Sequence, residues 1–204
     1  MDNLLLIDGN SLINRAFYAL PPLTNAKGEP TQAVYGFTTM LIGAIGKYKP
    51  KYIAVAFDLP APTFRHKMYD GYKATRKKMP DELAAQLPIL KEQLRLMNIS
   101  IVEKAGFEAD DIIGTLSRDQ SVMTYIITGD RDSLQLIDDT TSVVMTKRGI
   151  TETVLYDEKQ LLADYGLTPR QVIDYKSLAG DGSDNIPGVP GVGEKSANGL
   201  IEKY

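Results

Sequence analysis

Cysteine is absent from this sequence of 204 residues, and histidine occurs once. The first absence excludes disulfides and thiolate metal sites, and together they turn any metal site toward hard oxygen ligands. No apolar run approaches the ~18–20 residues of a membrane span, so no membrane partner is expected. The N-terminal "MDNLLLID" has an acid where a secretory signal would carry basic residues, and its apolar run is too short for one. A cytoplasmic location is compatible with these absences. There is no internal repeat and no low-complexity segment. The net charge is −3, so bulk basicity is lacking too, and any contact with a polyanion must come from local patches. A hydrophobic share of 43% and this length suffice for one sizeable core, or one domain with a small appendage.

What is present is alternation. The short apolar runs "NLLLID", "KYIAVAFD", "ISIVE" and "VMTYIITGD" read as buried strands. Between them lie helical patterns: "SLINRAFYAL" with Ser11 as its cap, "QAVYGFTTMLIGAIGKY", "DELAAQLPILKEQLRLM" with a kink expected at Pro88, and "EADDIIGTLSRD". Strands alternating with helices imply an α/β fold with a mostly parallel sheet covered on both faces. "SVVMT" and "TETVLY" are expected as edge strands. After about residue 157 the chain changes to short helices and Gly/Pro turns, so residues 1–157 and 158–204 are expected to form two regions.

The acids stand where such a sheet builds sites. Asp8, Asp58 and Asp130 each end an apolar run, and Glu108, Asp110 and Asp111 open a helix. Asp132 follows in "GDRD", and "GDGSDN" adds Asp181 and Asp184. The carboxyl ends of parallel strands share one edge, so these residues are expected to converge there. Any one of them could merely cap a helix. Five separate segments ending in acid are harder to dismiss together, because converging carboxylates without a cation raise one another's pKa. Oxygen ligands favour Mg2+ or Mn2+ over zinc. Nine acids suit two ions, with Asp8, Asp58, Glu108 and Asp110 expected at the first and the other five at the second. Two such ions commonly clamp a phosphodiester undergoing cleavage.

Such a substrate needs cations. Residues 63–78, "TFRHKMYDGYKATRKK", carry Arg65, Lys67, Lys73, Arg76, Lys77 and Lys78 against Asp70 alone, a local charge of +5. Tyr69 and Tyr72 interleave, as bases stacking on aromatics would require. Lys73 and Arg76 are three apart and would share a helical face. A solvated loop or helix face explains this stretch equally well. In "NIPGVPGVGEKSANGLI", Gly191 and Gly193 would let the backbone approach a phosphate at a helix start.

The stretches "LLLIDGNSLINRAFYA", "TFRHKMYDGYKATRKKMPDEL", "GFEADDIIGTL", "IITGDRDSLQLI" and "YKSLAGDGSDNIPGVPGVGEK" resemble the 5′-nuclease (5′–3′ exonuclease/flap endonuclease) domain of bacterial DNA polymerase I. The resemblance covers nearly the whole chain. It implies a PIN-like core at 1–157 with a helical arch at 63–90, and a helix–three-turn–helix region at 158–204 that grips duplex DNA. It implies two Mg2+ ions, with Mn2+ as a substitute, and leaves room for K+ at the Gly-rich turn. All nine carboxylate positions of the family are filled. By the same match Lys73 and Arg76 are catalytic cations, Tyr72 stacks on a base, and Arg65, Lys77, Lys78, Gly191, Gly193 and Lys195 contact DNA. The implied substrates are 5′ flaps, nicked or gapped duplexes and RNA-primed strands. Pro60 stands where the family carries Lys. The family domain extends past the position of Tyr204, and in the polymerase a polymerase region follows. A PIN-type ribonuclease and a noncatalytic DNA-binding fragment are the alternatives.

Overall fold

The computed structural model describes residues 1–204. Its centre is a six-stranded sheet built from β1 (Asp2–Asp8), β2 (Tyr52–Ala56), β3 (Ser100–Val102), β4 (Val122–Thr128), β5 (Thr141–Thr146) and β6 (Thr153–Tyr156), in the order β3-β2-β1-β4-β5-β6. All neighbours are parallel except the β5–β6 hairpin. The interior strands are apolar on both faces, and alternate residues enter different cores. Leu5, Ile7, Val55, Phe57 and Ile127 pack with α1 (Gly9–Ala19), α2 (Gln32–Tyr48) and, beyond the short α3 (Phe64–Met68), α4 (Asp81–Leu96). Leu6, Ala56, Ile126, Val143 and Met145 face α5 (Ala109–Leu116), α6 (Glu158–Tyr165) and α7 (Pro169–Ala179). This period of two is why such strands read as unbroken hydrophobic runs. α4 runs through Pro88 as one element.

β1 lies mid-sheet, with β2 and β3 on one side and β4 onward on the other. The strand order therefore reverses between β1 and β4, and their carboxyl ends open a crevice at that switch point. α7 is followed by a two-residue ladder, Gly180–Asp181 with Ile186–Pro187, and then by α8 (Glu194–Lys203). The crossing is tight, since a Cβ on Gly180 (φ +77°) would lie 2.3 Å from the Gly188 nitrogen. No helix is long and apolar enough to cross a membrane.

Three local expectations fail. β5 lies between β4 and β6, so of the two expected edge strands only β6 is one. α1 is capped by Asp8, whose side chain accepts from the Ser11 backbone N–H; Ser11 is not the cap. Segment 63–90 does not form one long helix. It has the five-residue α3, turns through 70–75, a stretch without regular structure and then α4 from Asp81. Asp70-Gly71 favours a turn, and Lys73 takes a left-handed backbone (φ +55°) that no α-helix contains. Lys73 and Arg76 therefore do not share a helical face.

Candidate active site

Four carboxylates from four elements line one cavity of about 690 Å3 at the switch point: Asp8, Asp58, Asp110 and Asp130. Asp8 is buried at the end of β1, where Thr128 Oγ1 donates to its Oδ2 at 2.8 Å and the Ser11 N–H to its Oδ1 at 2.9 Å. Burial, aided by the charges of Asp58 and Asp130, pushes its carboxyl up to about 6 against those two bonds. Asp58 accepts from Asn10 Nδ2 at 3.1 Å and from the Ala109 N–H at 2.7 Å, which ties β2 to α1 and α5. Asp130 caps the 3-10 turn Arg131–Leu136 by accepting from the Asp132 N–H at 2.9 Å. Asp110 is pushed furthest, to about 8, by burial and then by Asp8, Asp130 and Asp58. This mutual repulsion marks carboxylates that a cation would relieve.

The other five acids are paired. Lys73 Nζ meets Glu108 Oε1 at 2.8 Å. Arg65 forks onto both oxygens of Asp111 at 2.8 and 2.7 Å, with Glu108 3.3 Å away. Arg76 Nη2 reaches Asp184 Oδ1 at 2.5 Å. Lys176 bridges Asp132 at 2.7 Å and Asp181 at 2.9 Å. Burial would raise Glu108 and Asp111, but the hydrogen bonds and charges of Lys73, Tyr72 and Arg65 outweigh it and hold both low. Asp181 falls to about 2, its burial outweighed by Ser183 and Lys176, whereas burial keeps Asp132 raised despite Lys176.

The expected division of acids between two ions is accordingly redrawn. Asp130 groups with Asp8, Asp58 and Asp110, while Glu108 sits among cations. Asp110 and Lys176 also line the adjoining cavity that holds Glu108, Asp132, Asp181 and Asp184, so the two sets are continuous. All the donors are hard oxygens, and two of the four unpaired-set carboxyls are driven upward, so the residues fit a hard divalent cation. No three carboxylates stand as a ready-made ligand set for one ion.

The basic segment lies against this site. Lys73, Arg76 and Lys77 line the acid cavity. The segment is docked. The Lys73 N–H donates to the Asp184 carbonyl at 2.9 Å, and Asn185 Nδ2 to the Gly71 carbonyl at 2.7 Å. Tyr72 does not offer its ring for stacking. It is buried, and its hydroxyl lies 2.7 Å from Glu108 Oε2 and 3.0 Å from Asp184 Oδ2. Arg65 is likewise occupied by Asp111 rather than open to a strand. Lys77 is exposed, and Lys78 makes only a solvent-exposed pair with Asp81. Gly191 adopts φ +81°, Gly193 caps α8, and Lys195 projects from its first turn; none of the three lines the acid cavities. Sequence reasoning missed Asn10, Thr128 and Lys176. Lys176 had a readable signal, five residues before Asp181 in the stretch leading to "GDGSDN".

The family described as 5′–3′ exonuclease, N-terminal resolvase-like domain, matches residues 3–166, and that described as 5′–3′ exonuclease, C-terminal SAM fold, matches residues 167–204. DNA polymerase I of Bacillus subtilis (strain 168) is 48% identical over 204 residues, covering 98% of this chain and 23% of that protein. The chain thus spans about a quarter of the length of the polymerase relatives it matches. The 5′–3′ exonuclease of Aquifex aeolicus (strain VF5) is 40% identical over 207 residues, covering 100% of this chain and 70% of the relative. Among solved structures, the T5 D15 protein co-crystallised with metal ions superimposes with a TM-score of 0.77 at 21% identity, over 99% of this chain and 75% of that one. Flap endonuclease-1 from Methanococcus jannaschii gives 0.64 at 23% identity, over 98% and 70%. These two speak to the fold alone. With both of its domains matched in order along residues 3–204, the chain belongs to the 5′–3′ exonuclease family.

Proposed function

We propose that this chain is a divalent-metal-dependent 5′ nuclease. It hydrolyses phosphodiester bonds near the 5′ end of DNA flaps, nicks or RNA-primed strands, as replication and repair require. The observation that carries this reading is the meeting of Asp8, Asp58, Asp110 and Asp130 in one cavity whose rim holds Lys73, Arg76 and Lys77. Bound divalent cations would supply charge neutralisation and activation of the attacking water.

The chain's own residues do the rest. Thr128 and the Ser11 N–H orient Asp8, and Asn10 with the Ala109 N–H orients Asp58. Lys73 and Arg76 hold positive charge where a phosphate entering the cavity must sit, once they exchange Glu108 and Asp184 for it. No side-chain nucleophile is required. His66 is engaged with Thr63 through Nδ1 and takes no part. The Gly191–Gly193 turn and Lys195 are assigned to duplex contact.

The test is a 5′-labelled flap incubated with Mg2+ and with chelator, beside a single-stranded RNA and a binding measurement without cleavage. Flap cleavage that needs Mg2+ and exceeds RNA cleavage is expected. Faster RNA cleavage would make the chain a PIN-type ribonuclease. Binding without cleavage of either would reduce it to a DNA-binding fragment.

A further inference from the structure

The acid cavity does not close at Gly129. A second groove of about 630 Å3 shares Ser11, Asn14 and Gly129 with it and runs outward along α1, past Arg15 and Tyr18, to the β5–β6 turn at Arg148 and Gly149. Its lining holds three cations and no carboxylate, in a chain of net charge −3. Ser11, Arg15 and Tyr18 fall at i, i+4 and i+7, on one helical face. From first to last they span ~10 Å at 1.5 Å per residue, the length of about three stacked nucleotides at ~3.4 Å each.

The individual side chains suit a strand. Arg15 is held by the carbonyls of Thr146 at 3.2 Å and Lys147 at 3.0 Å, so its guanidinium is positioned and no carboxylate neutralises it. Arg148 is exposed and takes part in no ion pair. Lys147 turns its ammonium to the Tyr156 hydroxyl at 2.9 Å, which leaves the groove's charge to Arg15 and Arg148. Tyr18 is 70% exposed, and Phe17 steadies its ring edge-on at 5.1 Å. An exposed, steadied ring beside free cations is the chemistry that holds unpaired bases and their phosphates.

We propose that this groove is the track of a single DNA strand. About three nucleotides next to the phosphate in the acid cavity lie along α1, with phosphates at Arg15 and Arg148 and one base stacked on Tyr18. The proposal rests on the nuclease reading only for which strand occupies the track.

The test is strand binding in chelator, so it is separate from hydrolysis. The probe is a fluorescein-labelled oligothymidylate 12-mer, with 5-iodouridine substituted for contact mapping. Crosslinking to Tyr18 is expected. Tyr18→Ala should weaken binding about tenfold while Tyr18→Phe retains it. Arg148→Ala should weaken binding and lower the slope of log affinity against log salt by about 0.7. Arg118→Ala, a charge-matched change in the exposed turn before β4, at the amino ends of the strands, should do neither. Crosslinks confined to other residues, unchanged affinity of Tyr18→Ala, or no strand binding at all would overturn the track. A protein that cleaves flaps but shows no Tyr18 contact loses only the track. One that contacts the strand through Tyr18 but cleaves no flap loses only the nuclease reading.

Discussion

Lys73 combines a backbone cost with a side-chain gain. A non-glycine residue at φ +55° costs on the order of 1 kcal/mol. Its ammonium lies 2.8 Å from Glu108, with the two side chains only 14% and 8% exposed. Removing one partner of so enclosed a pair strands the other, so Lys73→Ala should lose about 2 kcal/mol in denaturant titration. It should also slow single-turnover cleavage at saturating DNA at least about tenfold, because a cation placed where charge develops is worth ~10²–10³ in rate. Parent-rate cleavage at saturation would reduce Lys73 to electrostatic attraction. Asp130→Asn removes one of the charges that raise Asp110, and cleavage should fall far more than DNA affinity. Retained cleavage would strike Asp130 from the site. Six of the nine acids stood out in the sequence because each ends an apolar run or opens a helix, and Asp132, Asp181 and Asp184 followed from "GDRD" and "GDGSDN". Which cation pairs with which acid was not legible. Lys73 and Glu108 are 35 residues apart, and Arg76 and Asp184 are 108 apart. No local period encodes such pairs.

Among the elements, the contact of α1 with the end of β2 holds Asp8 and Asp58 in register. A Cβ on Gly9 would stand 2.4 Å from the Phe57 ring, which is itself buried. Phe57 immediately precedes Asp58, so displacing the ring moves the acid. Gly9→Ala should cost roughly 1–3 kcal/mol by overpacking and lower cleavage with it. Thermal melts and cleavage rates of the same preparation check both; a parent-like melt would mean that the helix shifts freely. Strands and long helices were legible from periodicity alone, since burial on both faces of the sheet leaves a strong pattern. The basic segment was not. The family resemblance implied a helical arch, but turn chemistry at Asp70-Gly71 and contacts with residues 183–185, over a hundred positions away, decide its shape.

For the whole molecule, the carboxyls set opposing responses to pH. Asp8 and Asp110 stand at about 6 and about 8, above the ~4 of an unfolded chain. A raised carboxyl keeps a proton that the unfolded chain has released, so its stabilisation is complete below ~4 and is lost as pH rises through the folded value. Glu108, Asp111 and Asp181 are lowered and act in reverse, losing their contribution as pH falls below ~4. In chelator the melting temperature should therefore decline between about pH 5 and pH 8. Millimolar Mg2+ should raise it more at pH 8 than at pH 5. An equal Mg2+ effect at both would mean that no cation relieves the repulsion at Asp8 and Asp110.

The pairing of β1 with β4 has a consequence for how the chain is born. Leu4 lies beside Thr124, so the central seam joins residues made about 120 positions apart. At ~5–20 residues per second of synthesis, β1 waits roughly 6–24 seconds for β4. Asp184 and its Arg76 contact come later still. A partly made chain therefore has acids but no assembled site.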